Sequence, residues 1–321
     1  MNKIRVGVLR GGPSAEYDVS LKTGHTVLTL LPDDRYDARD IFIDKAGVWH
    51  YRGRPGSPEK ILDHVDVVFN ALHGTYGEDG TLQRLLDTHR VRYTGSDALG
   101  SAIGMNKPLA KSVLRNTSLR HAPHRVVHTG EYSDTLLSEL FRSFPMPVVV
   151  KPAMGGSSVA TTLARTFDEL HYGILGALQI NEHALVENYV RGKEVTVAVA
   201  EGFRGEDVYV FPPIEIVPTK SGFFDYDEKY AGFAREICPA RLPRTVTQDL
   251  MRAAREVHTT LGLRDYSRTD FIVAREGIFF LEVNTLPGLT SASLVPQAVE
   301  AVGATLPEFL EHVIARALVR K

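Results

Sequence analysis

The chain has 321 residues, 43% of them apolar and 24% charged, with a net charge of -2. These values describe a folded chain with two or three cores and exclude whole-chain disorder. There is no Lys/Arg block for a nucleic-acid surface, and no apolar run reaches the roughly 20 residues of a membrane span.

The elements follow in chain order. Met1–Val6 runs into a strand pattern with no basic-then-apolar leader, and the single cysteine, Cys238, cannot form an internal disulfide, so the cytoplasm is the expected compartment. Ile4–Leu9 reads as a buried strand. The turn Arg10-Gly11-Gly12-Pro13-Ser14 leads into a helix through Leu31. Strands at Arg39–Asp44, Val65–Leu72 and Val91–Thr94 alternate with helices at Gly80–Thr88 and Asp97–Ile103. That rhythm predicts a parallel sheet covered by helices, in a first domain of residues 1–105.

A helix at Lys107–Arg115 opens a second domain, 106–193. Its strands are expected at Arg125–His128, Pro147–Lys151, Val159–Leu163 and Ala184–Tyr189, with a helix at Phe167–Ala177. A third domain, 194–321, holds strands at Val195–Glu201, Val208–Val217, Ser267–Arg275 and Ile278–Asn284. Its helices are Arg244–Leu261, Ser293–Val302 and Leu306–Val319. Residues 218–239 break the rhythm, and stretches of that length are usually lids, binding loops or disordered.

Two segments carry chemistry. Arg268 to Asn284 reads as a β-hairpin with a three-residue loop, Arg275-Glu276-Gly277. If Ala274 pairs with Ile278, Asp270 faces Glu282 and Arg268 faces Asn284, all on one face. Like charges opposed across strands repel, and a divalent cation between them removes the repulsion. Asp, Glu and Asn are hard oxygen donors that suit Mg²⁺ or Mn²⁺. The alternative is a solvated polar face. The turn after Asn284 enters a helix, whose N–H groups can hold a carboxylate or an oxyanion, or form an ordinary cap. The second segment, Val148 to Val159, is a strand ending in Lys151 and then Gly155-Gly156-Ser157-Ser158. Glycines let backbone N–H groups approach a phosphate beside a lysine, although tight turns use the same residues. Asn106-Lys107-Pro108 offers a second cation at a helix start.

Taken in order, these pieces resemble D-alanine–D-alanine ligases of the ATP-grasp superfamily over nearly the whole chain. The motifs are Gly11-Gly12-Pro13-Ser14-Ala15-Glu16, His73-Gly74 through Gly80-Thr81, Lys151-Pro152 with Gly156-Ser157-Ser158, Asp225-Tyr226 with Lys229-Tyr230, and Arg268-Thr269-Asp270 with Glu282 through Gly288. The resemblance implies an α/β ATP-grasp fold: an N-terminal parallel α/β domain, then central and C-terminal α+β domains sandwiching ATP. Lys107, Lys151, Ser157, Ser158 and Lys229 would hold the phosphates. Glu187 and Tyr189 would meet the adenine, and Glu194 the ribose. Asp270, Glu282 and Asn284 would bind two Mg²⁺ or Mn²⁺ ions. Glu16 would take the first D-alanine's ammonium and join Ser157 and Tyr230 to close the lid.

Arg268 and the Gly288 N–H would stabilise the tetrahedral intermediate. His73, Ser293 and Leu294 would line the second D-alanine's site, and Val19 would be a further substrate-binding residue. The resemblance also implies a homodimer, with small molecules and no nucleic acid or membrane as partners.

The chain departs from the family pattern at Ala153-Met154-Gly155, Ala160, Tyr17-Asp18 and Asn106, none of them a proposed catalytic group. Tyr230 is kept, and relatives that make D-alanyl-D-lactate tend to change it, which favours the dipeptide product; a different second substrate, D-lactate or D-serine, is the alternative. The rival readings are another ATP-grasp ligase, a non-catalytic nucleotide-binding relative, and a Rossmann dehydrogenase. The last lacks G-x-G-x-x-G after the first strand.

Overall fold

The computed structural model describes residues 3–156, 160–218 and 234–320. Three sheets follow one another along the chain. The first uses β1 (Ile4–Gly11), β2 (Tyr36–Ile43), β3 (Trp49–Tyr51), β4 (Arg54–Pro55), β5 (Val67–Asn70) and β6 (Arg92–Tyr93), in the order β4-β3-β2-β1-β5-β6. β1 pairs in parallel with β2 and β5, and β5 with β6. The parallel expectation fails at one edge, where β3 and β4 add an antiparallel meander. Gly47 and Gly53 supply the turns there, so no crossover helix is needed. Helices α1 (Tyr17–Leu30), α2 (Pro58–Leu62), α3 (Thr81–Thr88) and α4 (Ala98–Met105) complete this part.

α5 (Lys107–Val113) is capped by Asn106, whose side chain accepts the Leu109 N–H, with Pro108 in the first turn. The second sheet is antiparallel. It comprises β7 (His124–His128), β8 (Val148–Pro152), β9 (Thr162–Ala164) and β10 (His183–Asn188), in the order β7-β10-β8-β9. Two helices cover it. α6 (Asp134–Ser143) is absent from the sequence expectations, although Ser133 caps it and Leu137 and Leu140 bury one face. α7 (Phe167–Ile180) carries a full capping box from Thr166 and Glu169.

The third sheet contains β11 (Lys193–Glu201), β12 (Val208–Val210), β13 (Ile214–Pro218), β14 (Ala234–Ile237), β15 (Tyr266–Ala274) and β16 (Gly277–Asn284). The single strand predicted over Val208–Val217 is two, because Pro212 and Pro213 cannot donate to a ladder. β14 lies inside the stretch read as a loop over 218–239 and pairs with β13. Helices α8 (Arg244–Thr260), α9 (Leu294–Ala301) and α10 (Leu306–Val319) close the chain.

α10 joins the first and third sheets. Its Phe309, Leu310 and Val313 share one buried cluster with Val6, Val8 and Phe69 of the first sheet and with Ala198, Phe211 and Tyr266 of the third. The Phe309 ring is fully buried, edge-on to Tyr266 at 5.7 Å and to Phe203 and Phe211 at 6.1 Å. Phe309→Ala is expected to cost about 3–5 kcal/mol and to lower the thermal midpoint by several degrees. An unchanged melting curve would contradict this role for the helix.

Candidate active site

The β15–β16 hairpin sets the geometry. Its loop is one residue shorter than the pattern predicts, because Ala274 pairs with Gly277 rather than Ile278. On its own that shift would turn Glu282 and Asn284 to the opposite face. A bulge between Asp270 and Phe271 reverses the shift: Phe271 faces Phe280, Asp270 faces Glu282, and Leu281 is the extra residue. Asp270 still faces Glu282, and Arg268 still faces Asn284.

The acids are not left to repel each other. Arg268 forks onto Asp270 with two bonds of 3.0 Å, Thr196 donates to Asp270 Oδ1 at 2.5 Å, and Asn284 Nδ2 lies 3.3 Å from Oδ2. Lys107 Nζ is 3.2 Å from Glu282. Burial opposes the Arg268 charge, but Asp270, then Glu282 and Glu78, outweigh it and raise its pKa.

Lys107 is placed by backbone: its N–H donates to Ala153 O at 3.0 Å, and its Nζ to Gly155 O at 2.5 Å. These bonds tie the start of α5 to the end of β8. Lys151 and Lys111 take opposite oxygens of Glu187, Lys151 at 2.6 Å. Burial would raise the Glu187 pKa, yet the two ammoniums hold it down at about 2.

A third group comes from the first sheet. Glu16 sits at the start of α1 with its N–H on Ser14 Oγ, and Ser14 Oγ donates to His73 O. A Cβ on Gly74, which has φ +71°, would lie 2.7 Å from Glu16 Oε2, and one on Gly156 would lie 3.1 Å from it. The missing Cβ at Gly74 and Gly156 leaves room for the Glu16 carboxylate beside both backbones. His73 is buried and meets Thr23 Oγ1 at 2.8 Å, and burial lowers its pKa.

Glu78 accepts N–H bonds from Gly74 and Leu286, both at 3.0 Å, so one carboxylate ties the first sheet to the turn after β16. Beyond that turn a Cβ on Gly288 would meet Ser293 Oγ at 2.8 Å, and Ser293 bonds back to Thr290.

Most of these groups face one cleft of about 700 Å³, with Lys111 and Thr196 behind its lining. Of the expected residues, it is lined by Glu16, Val19 and His73 from the first sheet's side, and by Lys107, Lys151, Glu187 and Tyr189 from the second. Glu194, Arg268, Asp270, Glu282, Asn284, Gly288, Ser293 and Leu294 complete it from the third. Ser157, Ser158, Lys229 and Tyr230 lie outside the described residues. Three residues are not among those expected from sequence, two in the lining and Lys111 behind it. Glu78 stands inside a quoted motif, Lys111 lies one helical turn after Lys107, and Glu215 lies on β13. The described lining holds eight Asp and Glu side chains against four Lys and Arg side chains.

Comparison with known proteins decides the family. The family model described as "D-ala D-ala ligase C-terminus" matches residues 113–315, and "D-ala D-ala ligase N-terminus" matches 53–96. The chain belongs to the D-alanine–D-alanine ligase family. It is 40% identical over 318 residues to the D-alanine–D-alanine ligase of Geotalea uraniireducens, covering 98% of this chain and 96% of that one.

Its fold matches the solved D-alanyl-alanine synthetase A of Vibrio cholerae, with a TM-score of 0.86, 26% identity and all of both chains covered. It also matches the ATP complex of the D-alanine–D-alanine ligase from Bacillus anthracis, with a TM-score of 0.81, 29% identity, and 99% and 98% of the two chains covered. The three-sheet α/β architecture is therefore that of the ATP-grasp ligases.

One consequence concerns pH. Burial, and next the charge of Glu16, raise the Glu78 pKa from 4.5 to about 7. The folded chain then holds a proton there that the unfolded chain releases, so stability is present below pH 4.5 and is lost as pH rises through about 7. The thermal midpoint of Glu78→Gln is expected to fall less than the wild type's across that window. Parallel profiles would contradict the raised value.

Proposed function

We propose that this chain joins two D-alanines into D-alanyl-D-alanine at the expense of ATP, as a step in building peptidoglycan precursors. The supporting observation is the single cleft where Glu16, the lysine pair and the Arg268–Asn284 hairpin meet.

A carboxylate is a poor electrophile. In this reading an oxygen of the first D-alanine attacks the γ-phosphorus of ATP, ADP leaves, and an acyl phosphate forms. The second D-alanine's amine then attacks the acyl carbon and expels phosphate. Glu16 binds the first ammonium. Lys107 and Lys151 face the polyphosphate as point charges. Glu187 and Tyr189 meet the adenine, and Glu194 the ribose. Arg268 and the Gly288 N–H face the oxygen that becomes anionic at the tetrahedral carbon. His73, Ser293 and Leu294 surround the second D-alanine, and Val19 is a further substrate-binding residue. Ser157, Ser158, Lys229 and Tyr230 are assigned to phosphate binding and closure over the site, which keeps water from the acyl phosphate.

Asp270, Glu282 and Asn284 form an all-oxygen donor set that fits two Mg²⁺ or Mn²⁺ ions. Arg268 and Lys107 already neutralise the two acids, and the described lining as a whole is acidic. A polyphosphate bound here needs cations of its own, and the ions would supply charge neutralisation for it. We also propose a homodimer in the cytoplasm. No described helix is long and apolar enough to cross a membrane.

Phosphate release with Mg·ATP is expected with D-alanine alone, and not with L-alanine or D-serine. D-lactate added to D-alanine is expected to leave the dipeptide as product. No D-alanine-dependent turnover would refute the assignment. Glu282→Gln is expected to lose roughly 100-fold or more in turnover, the scale of removing one charge-stabilising group, with unchanged circular dichroism. It should also weaken Mn²⁺ binding in the presence of ADP, measured by electron paramagnetic resonance. Near-normal activity or Mn²⁺ affinity would refute the metal assignment.

A further inference from the structure

We propose that Lys111 is a positioning residue for nucleotide binding: it keeps Glu187 charged and in place, so that Lys151 can turn from Glu187 to the polyphosphate. The inference rests on the reading of the cleft as an ATP site.

Lys107, Lys151 and Glu187 all line the cleft, and Lys111 does not. Its side chain is 1% exposed, and its bond is to Glu187 Oε2, while Lys151 occupies Oε1. Lys111 can therefore act on a cleft ligand only through Glu187. Its burial lowers its own pKa, and the Glu187 charge is the first factor opposing that. Lys107 and Lys111 sit one turn apart on α5 and so share a face. The first reaches Glu282 and Gly155, the second Glu187. One short helix, locked to β8 through Lys107 N–H and Ala153 O, thus sets a cation in the cleft and another behind it.

Lys151 has two competing partners. It is paired with Glu187, yet it faces the space where phosphates bind. A buried carboxylate that loses its sole partner is strongly unfavourable. With Lys111 on the other oxygen, Lys151 can shift toward a phosphate while Glu187 stays neutralised. Glu187 also stays an acceptor-only group that can take an amino N–H from a base.

The test is calorimetric titration of Mg·ADP into the wild type, Lys111→Met, Lys111→Arg, Glu187→Gln and the double variant Lys111→Met/Glu187→Gln. Lys111→Met is expected to raise Kd about tenfold, roughly 1.4 kcal/mol, and Lys111→Arg to recover most of it. The double variant should bind no worse than Glu187→Gln alone, because it removes the Lys111 charge that Glu187→Gln leaves without its partner. In kinetics the rise should fall on KM for ATP and not on KM for D-alanine, a split that general loosening of the fold would not give. Binding by Lys111→Met within about twofold of wild type overturns the proposal.

If that variant proves too unstable to purify, a double variant about tenfold weaker than Glu187→Gln overturns it equally. A wild type that binds Mg·ADP but makes no dipeptide refutes the substrate assignment and leaves the role of Lys111 standing. A wild type that does not bind Mg·ADP overturns both.

Discussion

Side chains of a strand alternate between faces, and the site depends on how one hairpin meets that constraint. Arg268, Asp270, Glu282 and Asn284 must point the same way from two strands joined by a two-residue turn. With regular pairing from that turn, Glu282 and Asn284 would face the wrong side. The additional residue at Leu281 absorbs the mismatch. Above the bulge, Phe271 and Phe280 are buried in the core under α8; below it, the polar four open on the cleft. A bulge also increases local twist. The hairpin thus serves packing on one stretch and chemistry on the next.

Several cleft residues answer the charges on that hairpin. Asp270 is held by Arg268, Thr196 and Asn284, and Glu282 is met by Lys107 from another part of the chain. Lys107 is itself placed by the end of β8, which delivers Lys151 to Glu187. Glu78 spans from the first sheet to the turn after β16. These are buried contacts in which removing one partner strands the other. The cleft is therefore preorganised as a set, and the carboxylate excess of its described lining suits a polyphosphate that brings its own divalent ions.

Much of this is legible in the chain, for identifiable reasons. The hairpin acids declare themselves because two apolar runs leave polar residues at matching offsets. The predicted pairing of Ala274 with Ile278 is wrong at the turn and right at the acids, since the bulge cancels the error. A one-residue bulge has no sequence marker here, because Leu281 resembles its neighbours. Lys111 was not legible as a site group, because a lysine on a short helix reads as a solvated surface residue until the fold places Glu187 against it. Glu215 is hidden likewise, on a strand that the apolar pattern merges with its neighbour across Pro212-Pro213. α6 is not legible despite its Ser133 cap, and β14 lies inside a polar, aromatic stretch that masks it. No single loop specifies which ligand each part of the cleft would face; only the order of separated motifs does.

The central claim is that this cleft activates a carboxylate by phosphorylating it. D-Alanine labelled with oxygen-18 in its carboxylate tests that most directly, with the released phosphate read by phosphorus NMR. The account predicts one labelled oxygen in each phosphate, transferred when the amine breaks the acyl–oxygen bond. Phosphate released without label alongside dipeptide would contradict it.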